Sequence, residues 1–248
     1  MEELSKQANA LLNQKKVVIL GGSAGIGLAT AKAAAANGAE IIIVSSNQRK
    51  LNEALTQLPA NTIAIPVDLT QEEQIKELFA RIGAFDHLVF TAGEPLQINT
   101  IADVTVTNAK QFFDLRYWGA FMAVKYAAPH LRKDGSIVLS GGSAAMRPGK
   151  GWGLGASICA AMEGLTRAMA IELAPIRVNI VVPGLVKTDL WSNMAEADRE
   201  AMFNHFSDTL PVKFIACADD IAQSYIYLLT QKYSTGQPVV VDGGYVLV

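Results

Sequence analysis

The sequence predicts a single doubly wound α/β domain, a parallel sheet of about seven strands with helices on both faces. Three observations predict it. The chain has 248 residues, 50% of them hydrophobic, enough to bury one substantial core. Short apolar runs alternate with longer helical patterns along its whole length. The first run, Val17-Val18-Ile19-Leu20, passes through the turn Gly21-Gly22-Ser23-Ala24-Gly25-Ile26-Gly27 into an alanine-rich stretch, which reads as strand, turn, helix.

The strands are expected at Val17 to Leu20, Ile41 to Val44, Thr62 to Val67, His87 to Phe90, Ser136 to Leu139, Arg177 to Val182 and Pro238 to Val241. Several are apolar on both alternate positions, as strands covered on both faces must be. Helices are expected at Gly25 to Asn37, Gln48 to Leu58, Glu72 to Arg81, Asn108 to Leu131, Gly155 to Leu173 and Asp219 to Thr230, each with recurring apolar positions. Asp219 and Asp220 place acids where the last helix starts, complementing its dipole. Residues 1–248 read as one domain, with 1–15 a flexible or peripheral segment. Met1 to Lys16 lacks the continuous apolar core of a signal peptide, and no run elsewhere reaches the length of a membrane span, so a soluble protein is expected.

With 21 Lys and Arg against 23 Asp and Glu, the formal charge is -2 and the charges are interspersed, so no basic face is available for nucleic acid. Cys159 and Cys217 are the only cysteines, far apart, which argues against a disulfide scaffold and for a reducing, cytoplasmic setting. His87, His130 and His205 show no metal-ligand spacing, and no metal site is expected.

A phosphate brought to the glycine turn meets free backbone N–H groups and the positive end of a helix, while the glycines leave room for its approach. Gly21, Ser23, Ala24, Gly25, Ile26 and Gly27 are therefore candidate dinucleotide-binding residues. Asp68 lies just past a strand end, where it can accept a hydrogen bond from an amino group such as that of adenine, with Leu69 packing near the ring; a turn-forming Asp is the alternative. Thr91-Ala92-Gly93 offers small residues where backbone must approach a ligand, or a packing glycine.

The glycine turn, Asp68-Leu69, Ala92-Gly93, Pro183-Gly184 with Thr188, and Asp242-Gly243-Gly244 occur in this order and together resemble the short-chain dehydrogenase/reductase family over nearly the whole chain. The resemblance implies a Rossmann-type fold, a nicotinamide dinucleotide across the sheet edge, and Pro183, Gly184, Val186 and Thr188 beside the nicotinamide. It also implies self-association as a dimer or tetramer through the helices at Asn108 to Leu131 and Gly155 to Leu173.

A carboxylate at the end of the second strand would hold a ribose 2′-OH and repel a 2′-phosphate. The chain instead reads Ser45-Ser46-Asn47-Gln48-Arg49-Lys50, hydroxyls, amides and cations that suit a phosphate. NADP(H) is expected over NAD(H), held by Ser45, Ser46, Asn47 and Arg49; the alternative is that the cations form a solvated helix face.

The catalytic positions depart from the family. Its usual members carry a Tyr with a Lys four residues on, a Ser, and an upstream Asn. Aligned through Glu163-Gly164-Leu165-Thr166, the Tyr position falls on Gly155, the Lys position on Cys159, the Ser position on Gly142 beside Ser143, and the Asn position on Arg116. Arg116 is the first candidate for catalysis, as a fixed cation that stabilises a developing alkoxide or orients a water; an ion pair or capping contact is its alternative role. Ser143 is the second, able to hold a substrate oxygen unless it is only a turn residue.

The expected activity is reduction of a ketone or aldehyde by NADP(H) with a non-standard proton source. A catalytically altered nucleotide-binding regulator, and an enzyme that uses the pocket for non-redox chemistry, are the alternatives. The segment Leu190 to Pro211, with Trp191, Met194, Met202, Phe203 and Phe206, resembles the family's substrate lid and suggests a bulky or aromatic carbonyl or alcohol substrate.

Overall fold

Seven parallel strands form one sheet in the order β3-β2-β1-β4-β5-β6-β9. They are β1 (Lys16–Leu20), β2 (Glu40–Ser45), β3 (Ile63–Pro66), β4 (Phe85–Phe90), β5 (Leu131–Ser140), β6 (Arg177–Pro183) and β9 (Pro238–Val241). A two-stranded parallel ribbon, β7 (Val186–Lys187) with β8 (Ala216–Cys217), lies beyond the sheet. The computed structural model describes residues 10–96 and 98–248. All seven sheet strands fall on the apolar runs of the sequence.

The helices are α1 (Gly25–Ala36), α2 (Gln48–Leu55), α3 (Glu72–Ile82), α4 (Val106–Phe113), α5 (Ala120–Ala127), α6 (Gly153–Glu172), α7 (Glu196–Thr209) and α8 (Ala218–Thr230). Strand side chains alternate between two cores, as a period of two demands. Val18 and Leu20 pack with Ile42, Val44, Phe79, Val124 and Leu165 under α3, α5 and α6. Val17 and Ile19 pack on the other face with Ile43, Ala31, Ala34, Tyr225 and Leu228 under α1 and α8. Alanines make α1 thin enough to lie close against both the sheet and α8.

Three expectations are corrected. The helix expected over Asn108 to Leu131 is interrupted by a π-helical turn, Asp114–Gly119, and gives way after His130 to β5, because Leu131 pairs with Phe85 as the first residue of a strand. Helix α6 does reach membrane-span length, with 20 residues and a mean hydropathy of 1.2. It packs one face on β6 through Ile158, Met162, Leu165 and Ala170, and its outer face carries Ala160, Gly164 and Ala168. Residues 1–9 of the expected peripheral segment lie outside the described residues, but Leu12 is fully buried and Lys15 bonds Asp86 at 2.9 Å, so residues 12–15 belong to the fold.

The chain runs outward from β1 to β3, then returns to build β4, β5 and β6 on the other side of β1. This reversal between β1 and β4 opens a crevice at the carboxyl ends of the strands, where ligands of such sheets bind.

Candidate active site

The β1–α1 turn is held tightly into this crevice. Gly21 has φ +87°, and a β-carbon there would sit 2.5 Å from the Ala92 backbone nitrogen, so only glycine lets the ends of β1 and β4 meet. Gly21 N–H donates to Val44 at 2.8 Å, and Thr91 N–H and Oγ1 donate to the Leu20 carbonyl. Helix α1 has no side-chain cap and no acid in its first turn. Its leading N–H groups and dipole are thus free to meet an anion.

A cleft of about 670 Å³ gathers most of the predicted cofactor residues. Gly21, Ser23, Ala24, Gly25, Ile26, Gly27, Ser45, Ser46, Asn47, Asp68, Leu69, Thr91, Ala92, Gly93, Pro183 and Thr188 all line it. Across the cleft, the Thr188 side chain faces the glycine turn, 3.6 Å from where a β-carbon on Gly25 would stand. Asp68 Oδ1 accepts from Thr70 N–H and Oγ1 at 2.9 and 2.8 Å, which fixes the carboxylate at the strand end.

Two predicted contacts are corrected. Arg49 does not line the cleft: it pairs with Glu53 at 3.0 Å on the solvent face of α2. Its neighbour Lys50 lines the cleft instead and pairs with Asp189 at 3.0 Å. Successive helical residues point about 100° apart, so only one of the two cations can face inward. Val186 is buried in the α8-side core and reaches neither cavity, because the β7–β8 pairing turns its side chain inward. Gly184 lines the adjoining cavity, pressed against Asp242.

That second cavity, of about 140 Å³, opens beside the cleft. Arg116, Gly141, Ile158, Cys159, Pro183 and Leu190 line both spaces and mark their junction. The rest of its wall includes five aromatic side chains, Phe112, Trp152, Trp191, Phe206 and Tyr245, with the Trp152 and Trp191 rings 6.0 Å apart. Of the segment expected as a lid, Leu190, Trp191, Phe206 and Leu210 reach the cavity, whereas Met194, Met202 and Phe203 do not.

The residues that the resemblance aligns with the family's catalytic positions come together around this junction. Arg116 sits in the π-helical turn, a form of irregularity frequent at functional sites. Its Nη2 donates to the Glu94 carbonyl, its Nη1 lies against Gly93, and its Nε is buried without an acceptor. Gly142 abuts Cys159, whose sulfur would be 3.0 Å from a β-carbon at 142. Burial pushes the Cys159 thiol up to about 11, against the lowering influence of Arg116, so it is a neutral thiol at physiological pH. Gly155 lines the cavity with only Trp152 near its missing β-carbon, at 3.8 Å. Ser143 is buried and lines the cavity away from the cleft. Among the described residues that line this junction there is no phenol. The arrangement supplies guanidinium donors but, among those residues, no side-chain acid suited to neutral pH.

Sequence reasoning missed Lys50 as the inward cation and Tyr245 as cavity wall. The first would have followed from helical phase; Tyr245 lies 98 residues from its partner Arg147, and nothing local announces that contact.

The family model described as enoyl-(acyl carrier protein) reductase matches residues 21–246. The short-chain dehydrogenase/reductase fsr5 of Gibberella fujikuroi is 30% identical over 265 residues, covering 100% of both chains. A small-chain dehydrogenase solved in complex with NADPH is 35% identical, with a TM-score of 0.81 over 95% of this chain and 100% of that one. The MalC reductase/Diels-Alderase of Malbranchea aurantiaca is 29% identical, with a TM-score of 0.89 over 97% of this chain and 100% of that one.

Proposed function

The chain belongs to the short-chain dehydrogenase/reductase family, and within it we propose an NADP(H)-dependent reductase of a ketone or aldehyde whose proton comes from water. The observation that carries this reading is Arg116, a half-buried guanidinium that lines both the cleft and the cavity at their junction. A carbonyl oxygen placed there would stand beside this cation. When bound, the nicotinamide would supply a hydride to the carbonyl carbon; the C=O π pair would move onto oxygen, which would take a proton from water and leave hydroxide to the solvent.

The chain's own residues bind and orient. The uncapped start of α1 and the glycine turn receive the pyrophosphate, and Thr188 faces them across the cleft. Arg116 stays protonated even though burial lowers its pKa, so it stabilises charge on the oxygen and orders a water without itself giving up a proton. Trp152, Trp191 and Phe206 exclude bulk water and favour a bulky or aromatic substrate.

NADP(H) is favoured over NAD(H) because β2 ends at Ser45, followed by Ser46-Asn47 with no acid, and Lys50 faces the cleft. The similar NADPH-bound dehydrogenase supports the same choice. The outer face of α6, where a β-carbon on Gly164 would meet nothing within 4 Å, suits close packing against a second copy in a dimer or tetramer. The two free cysteines suit a reducing cytoplasm.

A second reading is that the cavity shapes a reactive intermediate without net redox change. The likeness to a protein named both reductase and Diels-Alderase favours it, as does the absence of a phenol at the junction. Incubation with NADPH and a panel of ring ketones tests the first reading. Oxidation of NADPH matched by alcohol formation supports it; tight NADPH binding with no oxidation by any member contradicts it, and product formed without oxidation selects the second.

A further inference from the structure

The charge inside the aromatic cavity is one-sided. Its wall carries two arginines, Arg116 and Arg147, and neither acid nor lysine among the described residues that line it. Neither arginine belongs to an ion pair among the described residues. Arg116 stands at the junction with the cofactor cleft, whereas Arg147 lines the cavity alone and is exposed at its solvent end.

Arg147 is nevertheless held in place. Its Nη1 donates to the Tyr245 carbonyl at 2.6 Å, its guanidinium carbon lies 5.1 Å from the Tyr245 ring centre, and Tyr245 Oη donates back to the Arg147 carbonyl at 3.2 Å. Tyr245 is itself fixed by Asp242, whose carboxylate accepts from Gly244 and Val246 N–H at 2.8 and 3.0 Å. Among the described residues only Nη1 of this guanidinium has a protein acceptor. The remaining donors form a fixed fork against an aromatic wall, the geometry that recognises a carboxylate.

We propose that Arg147 is a specificity-determining residue and that the substrate is a ring compound bearing a carboxylate on its part remote from the reacting carbonyl. This rests on the reading above that the cavity receives the substrate. A carboxylate there gains charge-assisted bonds and neutralises a cation that has no protein counter-ion, while the rings fill the space between Trp152, Trp191 and Phe206.

Quenching of tryptophan fluorescence by 2-naphthoate and by its methyl ester, titrated into the full chain with NADP+ present, reads this directly. The acid should bind at least ~10-fold more tightly than the ester, the usual worth of one charge-assisted pair. Arg147→Gln should abolish that preference while leaving ester affinity within about 2-fold, and Arg147→Lys should restore part of it. Equal affinity of acid and ester for the wild type, or equal weakening of both by Arg147→Gln, overturns the proposal. Because the readout is binding, it separates from the reductase reading. Acid preference without turnover of ring keto acids leaves the role of Arg147 standing and removes the reductase, and turnover of neutral ring ketones without acid preference does the reverse.

Discussion

The guanidinium of Arg116 lies against Gly93, so close that a β-carbon on residue 93 would come within 2.7 Å of Nη1. The small residue at the end of β4 therefore sets where the cation at the cofactor–substrate junction stands. Gly93→Ala is expected to push Arg116 off the junction and lower kcat/KM for carbonyl reduction by about 10-fold or more, as small displacements of positioned groups do. NADPH affinity should change less. Steady-state kinetics with parallel binding titrations check this, and unchanged kcat/KM would show that the placement of Arg116 has no bearing on turnover.

The Lys50–Asp189 pair spans the cleft, joining the helix after β2 to the segment that leads into Leu190 and Trp191. A 2′-phosphate at the end of β2 would compete with Asp189 for Lys50. Lys50→Ala should weaken NADPH binding by about 10-fold and leave NADH binding unchanged, since only the former loses a charge-assisted contact. Asp189→Asn should tighten NADPH by a few-fold at most, because exposed pairs are worth roughly 0–1 kcal/mol. Calorimetric titration distinguishes the variants; an equal effect from Arg49→Ala would count against Lys50 as the contact.

Cys159 stands where a lysine would be expected, and Arg116 acts on it electrostatically from the position of the usual asparagine. A lysine at 159 would bring a second cation to the half-buried Arg116. Cys159→Lys should destabilise the fold by about 2 kcal/mol or more, as an uncompensated buried charge does. Combined with Arg116→Asn, the loss should be much smaller. Urea unfolding of the single and double variants measures the coupling, and additive losses would mean the two positions are independent.

At the opposite end of the sheet, burial pushes the His87 imidazole down to about 4, and its Nδ1 lies 2.9 Å from Ser136 Oγ. The unfolded chain takes up this proton near the ordinary value of 6.5, the folded chain only near about 4. Stability from the neutral imidazole is complete above about pH 6.5 and is lost as the pH falls toward about 4, by on the order of 3 kcal/mol. Asp86 next to it works lower. Burial alone would raise its pKa, but Lys16 N–H, Lys15 and Arg132 more than offset that, so its contribution is lost only in more acid solution. His87→Gln should flatten the fall of Tm between about pH 6.5 and 4.5; an unchanged slope would place its origin elsewhere.

The sheet was legible because each strand carries a short apolar run, even where Asp86, His87 or Asn179 interrupts it, and the glycine turn because Gly21 and Gly25 occupy positive φ that other residues resist. The π-helical turn at Asp114–Gly119 was not, since Asp-Leu-Arg-Tyr-Trp carries no breaker and a lone Gly119 is tolerated inside an α-helix. At the site, Gly155 and Cys159, expected at the Tyr and Lys positions, do line the cavity. Which of Arg49 and Lys50 faces the cleft follows from helical phase, whereas Val186 depends on a two-residue ribbon formed with distant Ala216. Only the second is tertiary and leaves no local mark.

In the proposed reaction Arg116 does electrostatically what a tyrosine does in the family the chain resembles, with water as the proton source. Single-turnover oxidation of bound NADPH by a ring ketone, in wild type and Arg116→Gln, tests this. The rate should fall by at least ~100-fold in the variant, the scale of losing a donor to a developing oxyanion, while NADPH affinity moves less than about 3-fold. The wild-type rate should be level between about pH 6 and 9, because no side-chain acid titrates in the step. A variant as fast as wild type, or a bell-shaped profile exposing a titrating acid, would contradict it.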